Sequence, residues 1–294
     1  MKKVALFGQF KHHFPEEHVT LLLNELKKYN TEVLIEKNCL QYIQKTTTTT
    51  YKSFQSHQDL NQSFDFFISI GGDGTILRAI NYIRNSGIPI IGINAGRLGF
   101  LATVQKETIL KTFEKINQKK YTISERNLLT LQSNTTINGL DNEFNFALNE
   151  ITISRKNTTS MITVKTYLDA EYLTSYWADG LIVSTATGST GYSLSCGGPI
   201  IAPHANSFVL TPIAPHNLNM RPLVIPETTD IKLSVNGREE NHLVSLDGRI
   251  ITVKNGTELN IKKAAFKIKM LIPNGNSFIK TLREKMLWGE DIRN

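Results

Sequence analysis

Phe64-Asp65-Phe66-Phe67-Ile68-Ser69-Ile70-Gly71-Gly72-Asp73-Gly74-Thr75 is the stretch from which the rest of the chain is read. Its first seven residues are short, aromatic and β-branched, the composition of a buried strand. Two glycines then allow a sharp turn. Beyond them Ile76, Leu77, Ile80 and Ile83 share one face at helical spacing, with Arg78, Asn81 and Arg84 opposite, which predicts an amphipathic helix. Where a strand turns through glycines into a helix, unpaired backbone N–H groups and the helix dipole favour an anion, so the unit predicts a phosphate site. Asp73 is the odd member, because a carboxylate beside phosphates is repelled unless it has a task. It caps the helix, holds a metal ion or takes a proton from an attacking hydroxyl, and the motif alone leaves all three open.

Working outward, Val4 to Phe7 predicts a first strand, Pro15-Glu16-Glu17 opens a helix with the apolar stripe Leu22, Leu23 and Leu26, and Thr31 to Glu36 predicts a second strand. Lys37 to Ser63 turns polar and contains the run Thr46 to Thr50, which reads as a solvated surface loop. Downstream come a strand over Ile88 to Ile93, a glycine-rich turn over Asn94 to Gly99, and a helix from about Lys106 to Asn117. Alternating strands and helices predict a Rossmann-like parallel sheet with its ligand crevice at the carboxyl ends of the strands, where both glycine-rich turns fall. From about Ser124 the texture changes to alternating runs such as Ile162 to Tyr167, with hairpin signals at Asn138-Gly139, Asn236-Gly237, Asp247-Gly248 and Asn255-Gly256. This half predicts an all-β C-terminal domain, a β-sandwich. The tail regains helical spacing at Phe278, Leu282 and Met286, ahead of Trp288-Gly289, and is expected to return to the first domain. The expected division is an α/β domain of residues 1–124 with 275–294, and a β-rich domain of residues 125–274.

The chain has 294 residues and a formal charge of +7, but its basic residues are dispersed. Without an arginine- or lysine-rich block the charge points to a polyanionic small molecule rather than to nucleic acid. Cys39 and Cys196 are the only cysteines, which suits neither a disulfide framework nor a metal finger. The N-terminal apolar run is too short for a signal-peptide core, and no stretch approaches the roughly 20 apolar residues of a membrane span. The expectation is a soluble, cytoplasmic protein without a membrane partner.

A second constellation runs from Ala178 to Ser195, where small and hydroxylated residues follow an apolar strand. Such a loop lets backbone and hydroxyl groups approach a sugar and its phosphates, and Tyr192 can lie against a flat ring. It lacks the lysine of a P-loop. Asn149-Glu150 interrupts an apolar strand with two polar groups, and these are either a satisfied structural pair or a ligand clamp.

Together these residues give a resemblance to the NAD kinases, which use ATP to phosphorylate the 2′-hydroxyl of the adenosine ribose of NAD. The resemblance spans almost the whole chain. It rests on Gly71-Gly72-Asp73-Gly74-Thr75, on Gly92-Ile93-Asn94-Ala95-Gly96-Arg97-Leu98-Gly99-Phe100-Leu101, on Asn149-Glu150, and on residues 179–199 ending Gly197-Gly198-Pro199. Pro215-His216, Arg221-Pro222-Leu223 and Leu287-Trp288-Gly289 complete it. The first motif alone is shared with diacylglycerol, sphingosine and phosphofructokinase-like kinases.

The resemblance implies that Asp73 is the general base, with Gly71, Gly72, Gly74 and Thr75 shaping the phosphate site. It implies that Asn149, Glu150, Asp179, Thr190, Gly191, Tyr192 and Ser195 bind NAD, with Asp247 near that pocket. It further implies ATP and NAD as substrates, a divalent ion, commonly Mg2+, with no ligand for it assigned, and a homodimer or homotetramer assembled through the β domain. Arg97 and Arg221 are candidates for contacts to ATP, and His216 reads as structural. Gly191 and Cys196 stand where many relatives carry Ala, and Arg249 stands where Gln is common, so Arg249 is expected to alter the charge near the site. Two other readings stay beside this one: a lipid kinase sharing the glycine-rich motif, and a non-catalytic nucleotide-binding regulator.

Overall fold

The structure, a computed structural model, describes residues 1–9, 16–44, 49–157 and 160–288. Pro15, Thr46 to Thr48 and Gly289 lie outside the described residues. The chain forms two compact units, one of Met1–Glu125 with Ile268–Asn294 and one of Arg126–Lys267.

In the first unit the elements follow as β1 (Lys3–Gly8), α1 (Glu16–Lys28), β2 (Glu32–Glu36), α2 (Lys37–Ile43), β3 (Lys52–Phe54), β4 (Phe66–Ile70), α3 (Asp73–Ile83), β5 (Ile90–Asn94), β6 (Val104–Gln105) and α4 (Ile109–Asn117). The strands pair in parallel in the order β3-β2-β1-β4-β5. β4 is buried along its full length and β5 likewise, as a strand covered on both faces must be. The apolar stripes of α1 and α4 (Val19, Leu22, Leu23, Leu26; Ile109, Phe113, Ile116) join Leu6, Ile68 and Ile93 in one core. Each such side chain removed from water contributes about 1.5–3 kcal/mol.

The segment expected to be a polar loop is partly structured. α2 buries Cys39, Leu40 and Ile43, and β3 adds an edge strand that buries Phe54. Three apolar side chains spaced for one face of a two-turn helix suffice once a neighbouring sheet can cover them.

The second unit contains most of β7 (Tyr121–Ser133), then β8 (Phe146–Ala147), β9 (Glu150–Arg155), β10 (Ile162–Leu168), β11 (Glu171–Ala178), β12 (Gly180–Thr185), α5 (Tyr192–Ser195), β13 (Ser207–Ile213), β14 (Leu223–Pro226), β15 (Ile231–Asn236), β16 (Asn241–Leu246), β17 (Arg249–Lys254) and most of β18 (Glu258–Pro273). Antiparallel strands β11-β10-β15-β18 form one layer and β14-β13-β12-β9-β16-β17 the other. Alternate residues of β15 and β16 are buried, and their inward side chains meet those of β9, β10 and β12 in a single core. Asp247-Gly248 makes the expected two-residue hairpin, with Leu246 opposite Arg249 and both turn residues at positive φ (48° and 83°).

The chain then returns to the first unit. Met270 of β18 pairs in parallel with Ile90, and α6 (Phe278–Met286) begins at Ser277, whose hydroxyl accepts from the Lys280 amide at 3.1 Å. Leu282 is buried, Phe278 meets Phe100 at 6.2 Å between ring centroids, and the Lys285 ammonium donates to the Leu98 carbonyl at 2.8 Å. The expected return of the last helix to the first domain is what the structure shows.

Candidate active site

β4 and β5 deliver the two glycine-rich turns side by side at their carboxyl ends, with the Gly71 amide donating to the Ile93 carbonyl at 2.9 Å. The first turn enters α3 through Gly72, which has no side chain to cap it. Asp73 does not cap the helix either. Its carboxylate reaches across to the second turn, where Oδ2 accepts from the Phe100 amide at 2.8 Å and Oδ1 from the Leu101 and Ala102 amides at 3.0 and 2.9 Å. A Cβ on Gly99 would overlap this carboxylate, so glycine is required there. Among the described residues nothing beyond the chain neighbours and the helix's own backbone lies within 4 Å of where a Cβ would stand on Gly72, Gly74 or Gly96, which leaves that backbone open to close approach. Buried Asn94 braces the second turn, accepting from the Gly96 amide at 2.6 Å and donating to the Arg97 carbonyl. Thr75 is buried beneath the turn, against Gly71.

In the second unit Asn149 and Glu150 lead into β9, beside the loop that follows β12. Gly188 sits so close to the Asn149 backbone that a Cβ would collide with it. The Thr185 hydroxyl donates to the Leu148 carbonyl at 2.6 Å and accepts from the Gly188 amide at 3.0 Å, and the Thr185 amide donates to the Asn149 carbonyl at 2.9 Å. Asn149 Oδ1, Glu150 Oε2 and the Ser184 hydroxyl are buried without a hydrogen-bond partner among the described residues. Buried polar atoms are normally paired, so this cluster is where a bound polar molecule would supply what is missing. Burial first, and the negative charge of Asp247 second, push the Glu150 carboxyl up to about 8.

The other expected residues of this unit divide into two groups. Gly191 and Tyr192 stand with Asn149 and Glu150: a Cβ on Gly191 would come within 2.8 Å of Glu150 Oε2, and Tyr192, 46% exposed, has its backbone hydrogen-bonded to the Glu150 carboxyl, while Ser195 is exposed on α5. Thr190, Asp179 and Asp247 already have partners. The Thr190 hydroxyl donates to the Thr187 carbonyl at 3.2 Å, and Asp179 pairs with the Arg155 guanidinium at 3.0 Å. Asp247 accepts from three consecutive amides, Leu148, Asn149 and Glu150, at 2.6, 2.9 and 3.0 Å. Arg221 donates to the Leu218 and Met220 carbonyls at 2.7 and 2.8 Å, and His216 stacks on Trp177 with 4.3 Å between ring centroids. Sequence reading missed the tasks of Gly99, Gly188 and Thr185; all three lie inside quoted motifs, but their tasks depend on backbone contacts.

Residues 14–121 match the ATP-NAD kinase N-terminal domain and residues 148–272 the ATP-NAD kinase C-terminal domain. The NAD kinase of Flavobacterium psychrophilum is 58% identical over 99% of this chain and 100% of its own, and that of Christiangramia forsetii is 57% identical over the same shares. The chain belongs to the NAD kinase family. Among solved structures, an NAD kinase from Archaeoglobus fulgidus in complex with ATP superposes with a TM-score of 0.74 at 25% identity, over 97% of this chain and 98% of that one. Yeast NADH kinase complexed with NADH shares the fold, with a TM-score of 0.88 at 23% identity over 100% of this chain and 89% of that one. Membership of the NAD kinases displaces the lipid-kinase and regulator readings. Among the described residues no helix is long and apolar enough to cross a membrane. Nor do three or more His, Cys, Asp or Glu side chains gather there as a metal site.

Proposed function

We infer that this NAD kinase transfers the γ-phosphoryl group of ATP to the 2′-hydroxyl of the adenosine ribose of NAD, with Asp73 as general base. The observation that carries the assignment of Asp73 is its carboxylate at the mouth of an open glycine turn, oriented by the Phe100, Leu101 and Ala102 amides. A carboxylate offers about four lone-pair directions. Oδ1 has given two to protein donors and Oδ2 only one, so Oδ2 is the atom left to accept the ribose proton. As the hydroxyl oxygen bonds to the γ-phosphorus, the bond to the ADP oxygen breaks and the proton passes to Asp73. The backbone of Gly72 to Gly74, in a turn shaped by Gly71 and Thr75, stabilises negative charge on the transferred group together with the α3 dipole.

Asn149, Glu150, Asp179, Thr190, Gly191, Tyr192 and Ser195 bind the dinucleotide, and Asp247 holds the Leu148, Asn149 and Glu150 amides beside them. A divalent ion, commonly Mg2+, would be held mainly by the phosphates of ATP and would neutralise charge on them. The enzyme works in the cytoplasm and assembles as a homodimer or homotetramer through its β unit, which light scattering on the purified protein tests. The chemical assignment is tested by Asp73→Asn, which should remove turnover while NAD still binds.

A further inference from the structure

Two helices of the first unit begin alike. α4 opens Ile109-Leu110-Lys111-Thr112 and α6 opens Phe278-Ile279-Lys280-Thr281, so each carries Lys-Thr at its third and fourth positions. Neither has an acidic residue in its first turn, and Glu107, just ahead of α4, stands 3.9 Å from the Lys106 ammonium. A helix start is the positive end of the dipole, where a carboxylate is favourable and an ammonium group is not. Both Lys-Thr pairs line one cavity of about 380 Å³, bounded also by the turn that joins β18 to α6. Lys115, one turn further along α4, lines it too, its ammonium donating to the Asn274 carbonyl at 2.6 Å. Against these three cations the wall sets one carboxylate, Glu284, 3.9 Å from the Lys280 ammonium. Thr112 and Thr281 are 7% and 5% exposed, and among the described residues neither hydroxyl has a hydrogen-bond partner. Buried hydroxyls are normally paired, so the cavity lacks an acceptor as well as a negative charge.

We propose that this cavity binds a small, free, phosphate-bearing anion of about diphosphate size between the Lys-Thr pairs of α4 and α6. Ammonium groups act as point charges on phosphate oxygens, and threonine hydroxyls donate to them. The anion supplies the negative charge that both helix starts lack and so ties α6 to α4. The volume lies at the small end of ligand pockets, roughly 300–1,000 Å³, and is too small for a dinucleotide. None of Gly71 to Thr75 lines the cavity, so the site is separate from the glycine turn beside Asp73 and does not depend on which hydroxyl that turn serves. Leu98 of the second glycine-rich turn does line it, and accepts from the Lys285 ammonium of α6 at 2.8 Å.

The test titrates the full chain with inorganic pyrophosphate by calorimetry, at low salt and without divalent ion. Beside it run K111Q/K280Q and the control K37Q/K254Q, which removes the same charge from exposed positions elsewhere. The unaltered chain should bind with a Kd of about 1 mM or below, and the control should stay within about twofold of it. K111Q/K280Q should bind about tenfold more weakly or worse, the scale of lost charge-assisted hydrogen bonds. Saturating pyrophosphate should also slow amide exchange over Phe278–Met286 in the unaltered chain and not in K111Q/K280Q. The proposal is overturned by no saturable binding, by equal weakening in both double variants, or by exchange in α6 that saturation leaves unaltered. Unchanged affinity in K111Q/K280Q overturns it as well, because pyrophosphate then sits elsewhere, as in the phosphoryl-transfer site. If K111Q/K280Q fails to fold, K111Q alone decides: a loss of about threefold or more bears the proposal out, and a smaller one overturns it.

Discussion

Asp73 and Asp247 use the same device in different units: a carboxylate collects three consecutive backbone amides and so fixes a segment that carries motif residues. Asn at position 73 keeps one oxygen for the Leu101 and Ala102 amides, loses the acceptor for Phe100 and removes the base, so chemistry suffers more than binding. Asp73→Asn should lower kcat by about 10²–10⁴, the usual worth of a general base, while the Kd for NAD by calorimetry stays within about tenfold. Gly99→Ala would drive a methyl group into that carboxylate. It should cost about a hundredfold in kcat, the scale of a displaced reacting group, without altering Asp73 itself. Glu150 gives a pH signature. Its folded carboxyl titrates near 8 against roughly 4.3 in the unfolded chain, so the folded state holds an extra proton between those values and stability falls as pH rises through that window. Glu150→Gln removes that slope, and the melting-temperature gain of the variant over the parent should grow from pH 5 to pH 9; parallel curves would remove Glu150 as its source. None of these contacts was legible beforehand, because backbone amides carry no residue code and Asp73 was equally compatible with a helix cap.

At the scale of elements, the strands bearing the motifs were legible wherever apolar residues ran without interruption, as in Phe66 to Ile70, or alternated beside a turn signal, as around Asp247-Gly248. α2 and β3 were not, because Cys39, Leu40, Ile43 and Phe54 are few and lie in a polar stretch, and only the edge of a formed sheet makes them a core. α6 was visible from its four-residue spacing, but its link to the site was not. Phe278 and Lys285 meet the glycine-rich turn at Phe100 and Leu98, so this helix steadies the loop that holds Asp73. Leu282→Ala should destabilise the protein by about 2–5 kcal/mol in urea unfolding, with faster amide exchange in residues 278–286. Turnover should fall with it if the helix steadies the Asp73 loop, and an unchanged kcat in a folded L282A protein would deny that link.

The molecule as a whole shows why the two halves of the sequence read so differently. A parallel sheet needs helices on its faces and therefore alternates periodicities, whereas a sandwich repeats one. That contrast made the fold class readable, and the spread of motifs through both textures made the family readable. The positive charge, dispersed rather than clustered, agrees with phosphate-bearing small molecules as substrates. The most direct test is NADP formation by the purified protein from NAD, ATP and Mg2+, read by an NADP-specific dehydrogenase, with Asp73→Asn run beside it. The account predicts NADP from the unaltered chain and a rate lower by about 10²–10⁴ from the variant; no NADP from the unaltered chain, or equal rates from both, would contradict it.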